Sequence, residues 1–262
     1  MKALGGTLAG TVLLALLAGC ATPPESTSYK ADGAAVAEDS EARNRARIHT
    51  ELASGYLELG NLGVALEEVN EALRADATYG PAYNVSALIH AELKEDRLAE
   101  QQFERALRLN AVDSDANNNY GLFLCQRNRE AEGIRHFLAA LRNPLYQSPE
   151  RSYVNAGLCS RKRGDLPAAE NYFQRALKAS PNQPQALYQL ADLLYARGDY
   201  LQARAYALRA SQVIPSAETL WLALRLERKL GDRNAEASYA AQLRRNFPQS
   251  REASALAAGR YE

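Results

Sequence analysis

Three kinds of side chain in this sequence could do chemistry: histidines, cysteines and clustered carboxylates. Histidine binds metals or moves protons near neutral pH, so His49, His90 and His136 come first. They fall at unlike places in the repeating pattern described below, and none has a partner at a metal-ligand spacing. Paired carboxylates such as Glu67 and Glu68 sit on what read as solvated helix faces. There is no Gly-rich phosphate loop, no G-x-S-x-G and no H-E-x-x-H. The expectation is therefore no catalytic residue, no metal site, no cofactor and no small-molecule substrate. With 31 basic and 31 acidic residues the formal charge is zero, which argues against a nucleic-acid partner.

The cysteines carry more. Residues 1–20, MKALGGTLAGTVLLALLAGC, run from one basic residue through an apolar core to small residues, the form of a secretory signal. Leu17-Ala18-Gly19-Cys20 resembles the bacterial lipobox, in which the cysteine is acylated and becomes the new N-terminus. This predicts a signal peptide over 1–19 and a lipid attached to Cys20, anchoring the chain to a membrane without spanning it. Ala21 rather than Asp after the cysteine favours sorting to the outer membrane, with the protein on its periplasmic face. Residues 20–45 are polar, small and Pro-containing, and read as a flexible tether. In an oxidising periplasm Cys125 and Cys159 could form a disulfide, the alternative being two buried thiols packed between helices.

The elements that would position these residues are helical hairpins. In Gln185–Pro215, Leu187, Leu190, Ala191 and Leu194 recur at helical spacing, Gly198-Asp199 breaks the helix, and Ala203, Ala207 and Ala210 form a second stripe. Neither helix can bury its face alone. The same pattern recurs with a period of about 34 residues: small residues such as Ala53, Gly121 and Gly157, then Ala65, Ala99, Ala169 and Ala203, then Phe103, Phe137 and Phe173. These copies match the tetratricopeptide repeat, in which the small residues mark the close crossing of helices A and B and the aromatic fills the gap beside it. The expected fold is all-α, a right-handed α-solenoid of about six repeats over 46–79, 80–113, 114–147, 150–183, 184–216 and 217–250. Residues 251–262 read as a capping helix and tail.

In such repeats the A helices line a concave face. The residues expected there are Leu57, Asn84, Leu88, Asn118, Asn119, Leu122, Asn155, Leu158, Tyr188, Gln189, Tyr195 and Trp221. Asn119, Asn155 and Gln189 take the same position in three successive repeats, a carboxamide ladder that could bind an extended peptide backbone. Arg151, Arg161, Lys162, Arg225, Arg228 and Lys229 make the C-terminal half of this face basic.

Several segments are more particular than the repeat consensus: Asn118-Asn119-Tyr120-Gly121-Leu122-Phe123-Leu124, Pro149-Glu150-Arg151-Ser152, Ala191-Asp192-Leu193-Leu194-Tyr195, and Ser238-Tyr239 followed by Phe247-Pro248. With the lipobox and tether, they resemble type IV pilus assembly lipoproteins of the PilF/PilW type. The resemblance implies a pilotin, a lipoprotein that binds outer-membrane secretin subunits and promotes their localisation and ring assembly. The competing expectation is another repeat lipoprotein serving as an adaptor for cell-wall hydrolases or outer-membrane protein assembly.

Overall fold

The helices start and stop where short polar residues and glycines permit. Asp113, Asp165, Gln183, Asp232 and Ser250 each accept a hydrogen bond from a backbone N–H three residues on, and Ser216 forms a reciprocal capping box with Thr219. Gly198 and Gly231 end their helices in the left-handed conformation. The computed structural model describes residues 30–261, with side chains from Ser40 onward. The chain separates into two units, 1–40 and 41–262, and the second holds the repeats.

Thirteen helices are formed among the described residues. Helices α1 (Lys30–Glu58) and α2 (Leu62–Ala75) make the first hairpin. The next two pairs are α3 (Gly80–Glu92) with α4 (Asp96–Leu109), and α5 (Ser114–Gln126) with α6 (Glu130–Ala140). Then come α7 (Pro149–Lys162) with α8 (Leu166–Ala179), and α9 (Pro184–Arg197) with α10 (Tyr200–Val213). Helices α11 (Ala217–Leu230) and α12 (Arg233–Asn246) close the series, followed by the short α13 (Arg251–Ala257). This is an all-α solenoid of tetratricopeptide repeats. Successive A helices touch directly, α3 on α5, α5 on α7 and α9 on α11, while successive B helices make no comparable contact. The A helices therefore form the inner, concave layer.

The core follows the small-residue pattern. Ala65, Ala99, Ala169, Ala203 and the rings of Phe103, Phe137 and Phe173 are fully buried. A Cβ on Gly121 would lie 2.8 Å from the Gly133 carbonyl oxygen and from Phe137, so only glycine allows that crossing. Helix α13 lays Ala253 and Leu256 on Leu220, Leu224 and Leu243.

One feature differs from expectation. Residues 30–45, read as part of the flexible tether, are helical and belong to α1. That stretch contains no proline and is rich in Ala and Glu, so it has helix propensity without an apolar stripe to reveal it. The turns of repeats two and three lack the usual glycine but keep its conformation, carried by Lys94 (φ 64) and Asn128 (φ 60). The signal peptide, Cys20 and residues 20–29 lie outside the described residues.

Candidate functional site

The candidate chemical residues are not brought together. His49 Nδ1 lies 2.7 Å from Glu68, His90 Nδ1 2.6 Å from Glu95, and His136 Nδ1 3.0 Å from Asn117 Oδ1. Burial holds the His136 imidazole below its ordinary pKa. Among the described residues no group of three or more His, Cys, Asp or Glu is arranged to hold a metal. Cys125 and Cys159 are joined across the A helices of repeats three and four, their Cα atoms 5.9 Å apart.

The concave residues divide into subsets with different surroundings. The expected open carboxamide ladder is corrected: four asparagines satisfy one another. Asn119 Nδ2 donates to Asn84 Oδ1 (3.2 Å), Asn118 Nδ2 to Asn119 Oδ1 (3.4 Å), and Asn155 Nδ2 to Asn118 Oδ1 (3.0 Å). Ser152 Oγ also donates to Asn118 Oδ1 (2.9 Å). Asn84 and Asn118 are buried. This chain of hydrogen bonds stitches repeats two, three and four together, because a buried amide needs a partner and the neighbouring repeat supplies one. Gln189 is engaged differently, accepting from Arg161.

The apolar members mostly pack. Leu57 joins the first-repeat core, Leu88 the cluster around Phe103, and Leu158 the cluster around Phe173. Trp221 packs against the C-terminal core and stacks on Tyr261 (centroids 5.8 Å, planes 12° apart). Leu122 stays exposed. Leu158, Tyr188 and Gln189 share a shallow groove of about 520 Å³ with Arg161, Lys162 and Asp192. Burial raises the Tyr188 phenol pKa, so it stays neutral. The basic residues also divide. Arg151 pairs with Asp115, Arg161 with Asp192, Lys162 with Glu130 and Arg228 with Glu236. Arg225 and Lys229 have no carboxylate partner among the described residues.

A further surface was not anticipated. Ile48 and Leu52 of α1 and Leu59 in the turn just past its end are 48%, 44% and 80% exposed and, with Gly55 and Tyr56, line an apolar groove of about 460 Å³. The i, i+4 spacing of Ile48 and Leu52 puts those two on one helix face. One period later the corresponding residues are Ala82 and Ser86, then Ala116 and Tyr120, and all four are buried. That face is covered in later repeats by the repeat before. In the first repeat no described residue covers it, and solenoid ends ordinarily carry a polar cap. Sequence inspection could have found it: an apolar helical stripe at the start of the array has no preceding repeat to cover it.

With this geometry in view, comparison with known proteins is informative. The tetratricopeptide repeat family profile matches residues 86–147 and 160–217. The chain is 33% identical over 238 residues to the type IV pilus assembly protein PilF of Pseudomonas aeruginosa, covering 90% of this chain and 91% of that one. The crystal structure of PilW, described as a widely conserved type IV pilus biogenesis factor, superposes with a TM-score of 0.70. It is 34% identical, over 80% of this chain and 97% of that one. The solved Pseudomonas aeruginosa PilF structure superposes with a TM-score of 0.74 at 32% identity, over 84% and 99%. The extent of these matches shows that the chain belongs to the PilF/PilW family of tetratricopeptide repeat proteins.

Proposed function

We propose that this protein acts as a pilotin in type IV pilus biogenesis: a non-catalytic lipoprotein that holds secretin subunits and promotes their assembly at the outer membrane. The relatives named for pilus assembly support the setting, and the signal peptide over 1–19 followed by the lipobox residue Cys20 supports lipid attachment on the periplasmic face. The observation that carries the reading is the open edge of the first repeat. Ile48 and Leu52 stand where a preceding helix would pack, with Leu59 exposed beside them, so an amphipathic helical segment of a secretin subunit would extend the solenoid by one element. Fully burying a side chain of this size stabilises by about 1.5–3 kcal/mol. The three together could contribute several kcal/mol before the entropy of association is subtracted.

The edge follows directly on the segment that leads back to Cys20, so the grip would lie near the anchor in sequence. Deleting the gene should abolish secretin multimers and twitching motility. Multimers that persist unchanged in the outer membrane would refute the assignment. Replacing Cys20 by Ala should move the protein out of the outer-membrane fraction while leaving its fold intact.

A further inference from the structure

The opposite end of the array holds a cavity of about 950 Å³ between repeats five and six. Helix α11 contributes Arg225, Arg228 and Lys229, α9 contributes Tyr195, and the C-terminal tail contributes Arg260 and Tyr261. Among the described residues no acidic side chain lines it. We propose that this cavity is the receptor for a carboxylate-bearing, extended segment of a partner protein. It is a different surface from the first-repeat edge, and the proposal does not depend on the identity of the partner there.

The charge arrangement supports the proposal. The chain as a whole is neutral, and the neighbouring cations Arg161 and Lys162 are already paired with Asp192 and Glu130. Within the cavity only Arg228 has a carboxylate, Glu236 at 2.9 Å. Arg225, Lys229 and Arg260 have none among the described residues, so three cations converge on one recess without compensation. Arg225 adds a more specific sign: its Nε is buried and has no hydrogen-bond acceptor. Unpaired buried donors are rare in folded proteins because they are costly, so the Arg225 guanidinium is left under-satisfied, with no acceptor of its own among the described residues.

The rings define how the site is held. The Arg225 guanidinium lies over Tyr195, 4.4 Å from the centroid, and Arg228 lies over Tyr261 at 3.8 Å. A guanidinium stacked by its face keeps its edge N–H groups for planar, bidentate recognition, which suits a carboxylate. Tyr261 is itself fixed on Trp221, so the tail forms a wall of the cavity. A peptide is favoured over a lipid surface because the cations are recessed in a solenoid groove, whereas membrane recognition uses outward polybasic segments. The same helix α9 also lines the adjoining shallow groove through Tyr188 and Gln189, leaving room for an extended chain.

The test uses the full chain, a fluorescein-labelled decapeptide of glycine, serine, tyrosine and glutamate, and the same peptide with glutamine for each glutamate. Fluorescence anisotropy should show binding of the acidic peptide, at least tenfold weaker binding of the glutamine peptide, and weakening as salt rises. Lys229→Glu and Arg225→Gln should each weaken binding roughly tenfold. Lys229 is exposed, so its replacement leaves the helix intact, which circular dichroism would verify. Absence of binding, equal binding of the two peptides, or full binding by both variants would overturn the proposal. Displacement of the peptide by inorganic phosphate beyond matched chloride would assign a phosphate site instead. Anisotropy restricted to vesicles containing phosphatidylglycerol would assign a lipid surface.

Discussion

Gly157 in α7 lies against the ring of Phe173 in α8 so closely that a Cβ on the glycine would sit 2.5 Å from the ring edge. Phe173 is fully buried and has no room to swing aside. Gly157→Ala should therefore destabilise the fold by about 1–3 kcal/mol through overpacking, despite the better helix propensity of alanine. Gly55 is the control. Nothing lies within 4 Å of a Cβ built there, so Gly55→Ala should be neutral or stabilising by up to about 1 kcal/mol. Urea unfolding of both variants checks the contrast.

The Cys125–Cys159 bond spans a sequence separation of 34 and ties repeats three and four at their A helices. By the chain-entropy relation, a loop of that length is worth about 4 kcal/mol at most, before any native-state strain. Reduction, or replacement of both residues by serine, should lower the unfolding midpoint accordingly. Because solenoid repeats can unfold in parts, it should also broaden the transition. A midpoint unchanged by reductant would contradict this.

The turn at Lys94 offers the opposite sign. A non-glycine residue in the left-handed region costs about 1–2 kcal/mol relative to its usual conformations, and glycine takes this role at Gly60, Gly164, Gly198 and Gly231. Lys94→Gly should raise stability by up to about 1 kcal/mol once the greater chain entropy of glycine is subtracted. Thermal denaturation would measure it.

Glu227 predicts a pH dependence. Its side chain is buried, one oxygen accepts from Arg204 at 2.9 Å, and Oε2 has no partner. Burial raises its pKa above the ordinary 4.5, an effect Arg204 only partly offsets. The folded state thus binds this proton more tightly than the unfolded state, and its stability rises as pH falls from neutrality toward 4.5. In Glu227→Gln that rise should be flattened, as seen in melting temperatures across the range. Asp76, Asp96 and Asp232, whose pKa values are lowered below 3.8, act with the opposite sign and only at lower pH.

The hairpins were readable in the sequence because their determinants are local: Ala203 and Ala207 beside Gly198, or Gly157 facing Phe173, recur at fixed offsets. The asparagine network was not, because Asn119 with Asn84 and Asn155 with Asn118 pair across 35 and 37 residues. Whether such amides point outward or at each other depends on how neighbouring repeats stack. The same holds for the basic residues. Their types were plain, but that Asp192 would neutralise Arg161 while Arg225 stayed unpaired is a matter of three-dimensional register. The exposed stripe of Ile48 and Leu52, with Leu59 beside it, was visible as a pattern, yet it lies off the concave positions that draw attention in a repeat of this kind.

The most direct test of the central claim is capture of the secretin by the purified full chain from detergent-solubilised membranes, comparing wild type with Leu52→Glu. Leu52 is 44% exposed, so the charge is tolerated by the fold but would be buried without a partner in the complex. The account predicts that wild type retains secretin, identified by immunoblot, and that the variant loses at least tenfold of it at unchanged helicity. Equal retention by the variant, or no secretin on the wild type, would contradict it.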